Sequence, residues 1–287
     1  MDYQEGLEPI RSRHLIDGLY VDEMKPGYLP DAAPPILFLH GAFQGAWSYE
    51  RWMTFFARSG WRALAMSLRN HPGSAAVEES AFIGLSADDY VSDVLRIARW
   101  IDGPFVLVAH SMGSQIALLT AERCPEIGAV VLLGPGGLTG MKPSRPKDLP
   151  SDQPVLPDFD QFRRHMFGDV APADYADFHS RLVPESPGVM NVAGRGRVEI
   201  DPVKVKVPML VVDGEYDRNR NAEAYSERFG ADFVVIPGGH HGLMLGPWGD
   251  AVAMVINHWL MRRCENLEKA YRPAWSVPAS VAESASS

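Results

Sequence analysis

Short, wholly apolar runs alternate along this chain with stretches whose apolar residues recur at helical spacing. Ile36-Leu-Phe-Leu39, Arg62-Ala-Leu-Ala-Met-Ser67, Phe105-Val-Leu-Val-Ala109, Ala129-Val-Val-Leu-Leu133, Met209-Leu-Val-Val212 and Phe233-Val-Val-Ile236 read as strands. They lack polar alternation, as expected of a parallel sheet covered on both faces. Between them, Trp47 to Ser59, the stretch capped by Ser86, Met112 to Glu122, Ala222 to Phe229 and Ala251 to Arg263 read as helices. Gly60 is placed to end the first, and Asp88 and Asp89 fall in the first turn after Ser86. In the Ser86 helix, Tyr90, Val91, Val94, Leu95, Ile97 and Ala98 form one apolar face. Alternation of this kind predicts an α/β fold with a mostly parallel central sheet and helices on both faces.

The rhythm fails between Leu133 and Met209. Pro143, Pro146, Pro150, Pro154 and Pro157 crowd this segment, and strand signals are few. Asp158 to Phe167 and Pro172 to Leu182 have helical character. A segment of this length is rarely a bare loop, so residues 135–205 are expected to form a mostly helical cap over the sheet's C-terminal edge. Residues 1–134 and 206–272 would then be the core. The Ala/Ser-rich residues 273–287 are expected to be a flexible tail.

Composition narrows the class. The chain has 287 residues, 46% of them hydrophobic, which suits an ordinary globular core. A net charge of −9 argues against a nucleic-acid partner, because no basic excess exists to neutralise phosphates. No apolar run approaches the length of a membrane span, the N-terminus is unlike a secretory leader, and a cytoplasmic location is expected. Cys124 and Cys264 make neither a disulfide framework nor a metal cluster, and both are expected to be structural thiols.

Candidate chemistry begins at Val106-Leu-Val-Ala-His-Ser-Met-Gly113. Ser111 follows an apolar strand, precedes a helix, and has small residues, Ala109 and Gly113, two positions away on each side. This is the nucleophile-elbow pattern: the strained turn lifts the hydroxyl above the sheet, beside the N–H groups of a helix N-terminus. Alanine stands where glycine is more usual, and it too is compatible with the turn.

These residues resemble the α/β-hydrolase superfamily, over roughly Leu19 to Leu260. The resemblance implies that His40-Gly-Ala-Phe43 supplies the second oxyanion donor, with the backbone N–H groups of Ala42 and Met112 forming the hole and His40 bonding within its loop. The run His40-Gly-Ala-Phe-Gln-Gly-Ala-Trp47 resembles the corresponding loop of ester-hydrolysing members. Pro208-Met-Leu-Val-Val-Asp-Gly-Glu-Tyr-Asp217 resembles the family's strand followed by Gly-x-x-Asp and selects Asp217 as the acid. Asp213 competes from the strand end, a position where loop-capping aspartates are common. The loop Gly134 to Gly140, the family's other site for the acid, contains no acidic residue. For the base, His240 and His241 are adjacent. Family members often read Ile-Pro-Gly-small-Gly-His after their last strand, and counting along that run from Ile236 implies His241, with His240, in the usual glycine's place, as the competitor.

The expected triad is therefore Ser111, His241 and Asp217, acting through an acyl-enzyme without metal or organic cofactor. Serine at the elbow argues against the relatives that use aspartate there. The resemblance is strongest to serine esterases and lysophospholipase-like hydrolases, which implies a small, partly apolar ester or lactone as substrate. Thioester, amide or carbon–carbon cleavage on the same triad is the alternative, and a ligand-binding receptor of the same fold is a further one. Phe43, Trp47, Met112, Met166, Phe167, Leu243 and Met244 are candidate apolar pocket residues.

Overall fold

The computed structural model describes residues 8–27, 33–166 and 172–270. Strands β1 (Ile10–Ile16), β2 (Leu19–Lys25), β3 (Ile36–Leu39) and β4 (Ala63–Met66) enter first, with helix α1 (Glu50–Arg58) between the last two. Helices α2 (Glu79–Ile83) and α3 (Ala87–Ile101) lead to β5 (Phe105–His110), α4 (Met112–Ala121) and β6 (Ile127–Leu133). Three helices, α5 (Phe159–Met166), α6 (Pro172–Ser180) and α7 (Pro187–Ala193), lie in the connection to β7 (Met209–Gly214). The chain closes with α8 (Ala222–Phe229), β8 (Asp232–Ile236), α9 (Gly242–Leu245) and α10 (Gly249–Ala270).

The eight strands form one sheet in the order β1-β2-β4-β3-β5-β6-β7-β8. The β1–β2 and β2–β4 pairs are antiparallel, and every other pair is parallel. Successive side chains point to opposite faces, so each apolar run feeds two cores. Leu37, Leu39, Leu107, Val130, Leu132 and Val211 face α3, α4 and the insertion. Ile36, Phe38, Val106, Val108, Val131 and Leu210 face α1, α9 and α10.

The sequence pattern passed over β1 and β2, whose charged side chains break the apolar run. Their readable signal was Asp17-Gly18, whose positive φ values (48° and 81°) suit a tight hairpin turn. Buried Asp22 and Glu23 on β2 are tolerated because Arg11 pairs with Asp22 and Arg62 with Glu23. At α3, Asp89 accepts from both the backbone N–H and the hydroxyl of Ser86 (2.9 and 2.8 Å), closing the helix end where the sequence placed its cap.

The insertion contains its two expected helices plus α7, which the sequence pattern did not single out. Its proline-rich part is irregular and is tied down by the bridge between Val155 and Glu185. Residues 273–287 lie outside the described residues. Among the described residues no helix is long and apolar enough to cross a membrane.

Candidate active site

The turn between β5 and α4 places Ser111. Its backbone has φ 52° and ψ −120°, a region L-residues rarely enter. Helix α4 starts so close to the end of β3 that a Cβ on Gly113 would lie 2.4 Å from the carbonyl oxygen of His40 and 3.1 Å from that of Leu39. Glycine is therefore required there, and Ala109, on the other side of the serine, is fully buried.

The ring that reaches Ser111 is His240. Its Nε2 lies 2.8 Å from Ser111 Oγ, and its Nδ1 lies 2.5 Å from Asp217 Oδ2. The carboxylate accepts from Nδ1–H, which leaves Nε2 free to accept the serine proton. Asp217 is oriented in turn by the N–H of Asn219, 2.8 Å from its Oδ1. Gly134, at φ 50°, makes room for the pair: a Cβ there would lie 2.9 Å from His240 Nδ1 and 3.1 Å from Asp217 Oδ2. Burial works against charge on both partners, and their attraction and hydrogen bond overcome it. The His240 pKa is raised from its ordinary value and that of Asp217 lowered.

The expectation for His241 is corrected. His241 is the N-cap residue of α9, with its N–H-side neighbour His240 turned toward the serine. Its own Nδ1 lies 3.2 Å from Gln44 Nε2, and its ring packs against Phe162, Phe178 and His110. Burial, together with His110 and His240, holds its pKa well below the usual histidine range, so it stays neutral. The loop after β8 is one residue tighter than the count from Ile236 assumed. The O of Gly238 already accepts the N–H of Tyr216 (3.0 Å), and the backbone turns at Gly238 (φ 149°).

Asp213 is set apart from the pair. Its Oδ2 accepts the N–H groups of Asn221 and Ala222, 2.8 Å each, so it caps α8. Burial and the neighbouring Asp217 charge push its pKa up to about 6 against those hydrogen bonds.

Beside Ser111, neither the backbone N–H of Ala42 nor that of Met112 donates a hydrogen bond among the described residues. Both residues line the same pocket as the serine. His40 bonds within its own loop through Nδ1–H, which donates to Gly41 O (2.8 Å), and to the segment after β4 through Nε2, which accepts from Leu68 N–H (3.1 Å). Burial holds its pKa down at about 3. Phe43, which follows Ala42, sits at φ 71° and is clamped from the insertion. Its carbonyl accepts from Val183 N–H (2.9 Å), and its N–H donates to Glu185 (3.3 Å).

Glu185 is a residue the sequence reading missed. It is fully buried and also accepts from Tyr90 Oη–H (2.5 Å), Ser186 N–H (2.9 Å) and His71 Nε2 (3.1 Å). His71 Nδ1 faces the carbonyl of Arg69 (2.9 Å), so both ring nitrogens meet acceptors and both carry protons. A lone glutamate after a proline carries no local sequence signal; its partners come from three distant segments.

The pocket encloses about 470 Å³ and is lined by Phe43, Met112, Phe162, Met190 and others around Ser111 and His240. Of the expected liners, Phe43 and Met112 are there. Leu243 and Met244 are not, because they are buried in the core on the α1/α10 face of the sheet. Trp47 lies instead against Phe178, with Arg181 over its ring at 4.3 Å. The side chain of Met166 and all of Phe167 lie outside the described residues. Gln115, Arg145 and Arg218 line the pocket without having been singled out. Cys124 is buried beside Glu126, and burial first, then that carboxylate, pushes its thiol up to about 12. Among the described residues no group of histidine, cysteine and carboxylate side chains could hold a metal ion.

A strained serine over a mostly parallel sheet, met by a histidine and an aspartate from later loops, defines a hydrolase-type site. Residues 36–255 match the model of the Alpha/beta hydrolase family, and the chain belongs to that family. It is 26% identical over 221 residues to a non-heme chloroperoxidase of Burkholderia pyrrocinia, covering 66% of this chain and 76% of that protein. It is also 26% identical to a bifunctional esterase/perhydrolase of Acinetobacter calcoaceticus, covering 69% of this chain and 79% of that one. Among solved structures, an esterase from Thermogutta terrifontis superposes with a TM-score of 0.67 at 16% identity, covering 89% of this chain and 99% of the other. An enol-lactonase from Burkholderia xenovorans gives 0.65 at 17% identity, covering 87% and 100%. At such identities the structural likeness establishes the fold.

Proposed function

We propose that this hydrolase cleaves a small, partly apolar carboxylic ester or lactone through an acyl-enzyme on Ser111. The observation that carries the reading is the continuous contact from Ser111 Oγ to His240 Nε2 and from His240 Nδ1 to Asp217. The esterase/perhydrolase among the relatives supports an ester over other acyl compounds. Ser111 Oγ attacks the acyl carbon as His240 takes its proton. The oxyanion is held by the N–H groups of Ala42 and Met112, which have no other partner among the described residues. His240 then protonates the departing alcohol, and a water deprotonated by the same ring releases the acid. Asp217 keeps the ring in the required tautomer and stabilises the imidazolium. Residues 135–205 act as the cap that shapes the acyl site over the core formed by 1–134 and 206–272.

A fluorophosphonate probe tests the nucleophile directly. It should label the wild-type protein and leave Ser111→Ala unlabelled; labelling that persists in Ser111→Ala would overturn the assignment.

The raised His240 pKa gives a second test. The base works only when neutral, so kcat/KM should fall on the acid side with a midpoint above the ordinary histidine value of about 6.5. Asp217→Asn removes the group that raises it. That variant should move the acid limb to lower pH and cost about 10⁴-fold in kcat. An acid limb unmoved in Asp217→Asn would show that another group titrates.

A further inference from the structure

The described lining of the pocket around Ser111 carries charge of one sign. Its lining contains Arg145 and Arg218 and no aspartate or glutamate among the described residues, on a chain whose net charge is −9. Arg145 is the telling one. Its backbone is fixed on both sides: the N–H donates to Gly194 O (2.8 Å), and the carbonyl accepts from Arg195 Nη1 (2.9 Å). Its stem packs on Gly194, where a Cβ would lie 3.0 Å from Arg145 Cδ. Yet its half-buried guanidinium makes no ion pair or hydrogen bond among the described residues. The nearby arginines of the insertion do: Arg195 and Arg197 both pair with Asp148, at 3.0 and 3.1 Å. Burial lowers the Arg145 pKa, as expected of a partly buried cation with no counter-charge among the described residues.

A guanidinium is the preferred partner of a carboxylate, which it can bind with two parallel hydrogen bonds. We propose that Arg145 is a specificity-determining residue that binds a carboxylate on the substrate, at the end remote from the bond attacked by Ser111. The substrate class is then an ester with an apolar body and a terminal carboxylate, such as a half-ester of a dicarboxylic acid. Phe43, Met112, Phe162 and Met190, in the same lining, offer apolar surface for the body of such a substrate. This deepens the serine-hydrolase reading and rests on it.

Two esters of equal chain length separate the proposals: 4-nitrophenyl hexanoate and mono-4-nitrophenyl adipate, which differ only in a terminal methyl against a carboxylate. The wild-type protein should show a kcat/KM at least tenfold higher for the half-ester. Arg145→Met should reduce the half-ester to hexanoate ratio tenfold or more, and Arg145→Lys should retain part of the preference. The ratio is internal to each variant, so a poorly folded fraction cancels. Turnover of hexanoate with no preference for the half-ester, or a ratio unchanged in Arg145→Met, overturns the role of Arg145 and leaves the triad standing. Failure of both esters in the wild-type protein overturns the esterase reading and this inference with it.

Discussion

His240→Ala should lower kcat by about 10⁴- to 10⁶-fold on an activated ester, while His241→Ala should cost at most about a hundredfold. The contrast follows from where two adjacent rings point. His240 alone contacts both Ser111 and Asp217. Removing it leaves the serine hydroxyl without a base and a buried carboxylate without its partner. His241 lines the pocket but bonds to Gln44, and its ring is held neutral among other rings. Its loss opens space and loosens packing against Phe162 and Phe178 without removing a proton acceptor from Ser111. Steady-state rates for both variants, with a fluorophosphonate labelling control, decide the matter; full activity in His240→Ala would refute the assignment.

Glu185→Ala should be the most destabilising change outside the hydrophobic core. It removes a buried carboxylate and strands the protonated His71, Tyr90 Oη–H and the N–H groups of Phe43 and Ser186. Breaking one side of a buried ion pair costs about 3–5 kcal/mol, or roughly 6–20 °C in Tm for a domain of this size. The effect on pH follows from the signs. Burial opposes both charges and their attraction prevails, so the Glu185 pKa is lowered and that of His71 raised. The Glu185 contribution is present above its unfolded value and lost as pH falls through its folded one. That of His71 is present below its unfolded value and lost as pH rises through its folded one. Stability should therefore depend on pH on both sides of a plateau, and Glu185→Gln should flatten that dependence. Because Phe43 N–H loses its acceptor beside Ala42, kcat should fall in Glu185→Ala more than KM rises. A Tm within 2 °C of wild type would mean the network carries no strain-relieving load.

Much of this molecule is legible before any coordinates. Apolar runs such as Phe105 to Ala109 require burial on both faces, and only a parallel sheet sandwiched by helices provides it. Ser111 two residues before Gly113 is readable for a related reason: a steric rule, the close approach of α4 to the end of β3, demands glycine at that position. Asp213 and Asp217 separate because one lies at a strand end, where it caps α8, and the other lies in the loop beyond. The β1–β2 hairpin escaped because its strands, at the polar edge of the sheet, alternate weakly, although Asp17-Gly18 announces the turn.

What the sequence determined by itself is the architecture, which follows from periodicity, and the candidate serine, which follows from steric demands spanning a few residues. Asp217 came from the likeness of its strand and Gly-x-x-Asp loop to the family's. Only the tertiary structure decided which of two adjacent histidines meets the serine, because a one-residue change in loop length turns a side chain to the other side. It alone decided that Leu243 and Met244 belong to the core, that Glu185 clamps the loop of Ala42 and Phe43, and that Arg145 lines the pocket with no ion pair among the described residues. Those facts depend on contacts between segments far apart along the chain. Ion pairing and burial are properties of such meetings, and no single segment contains them.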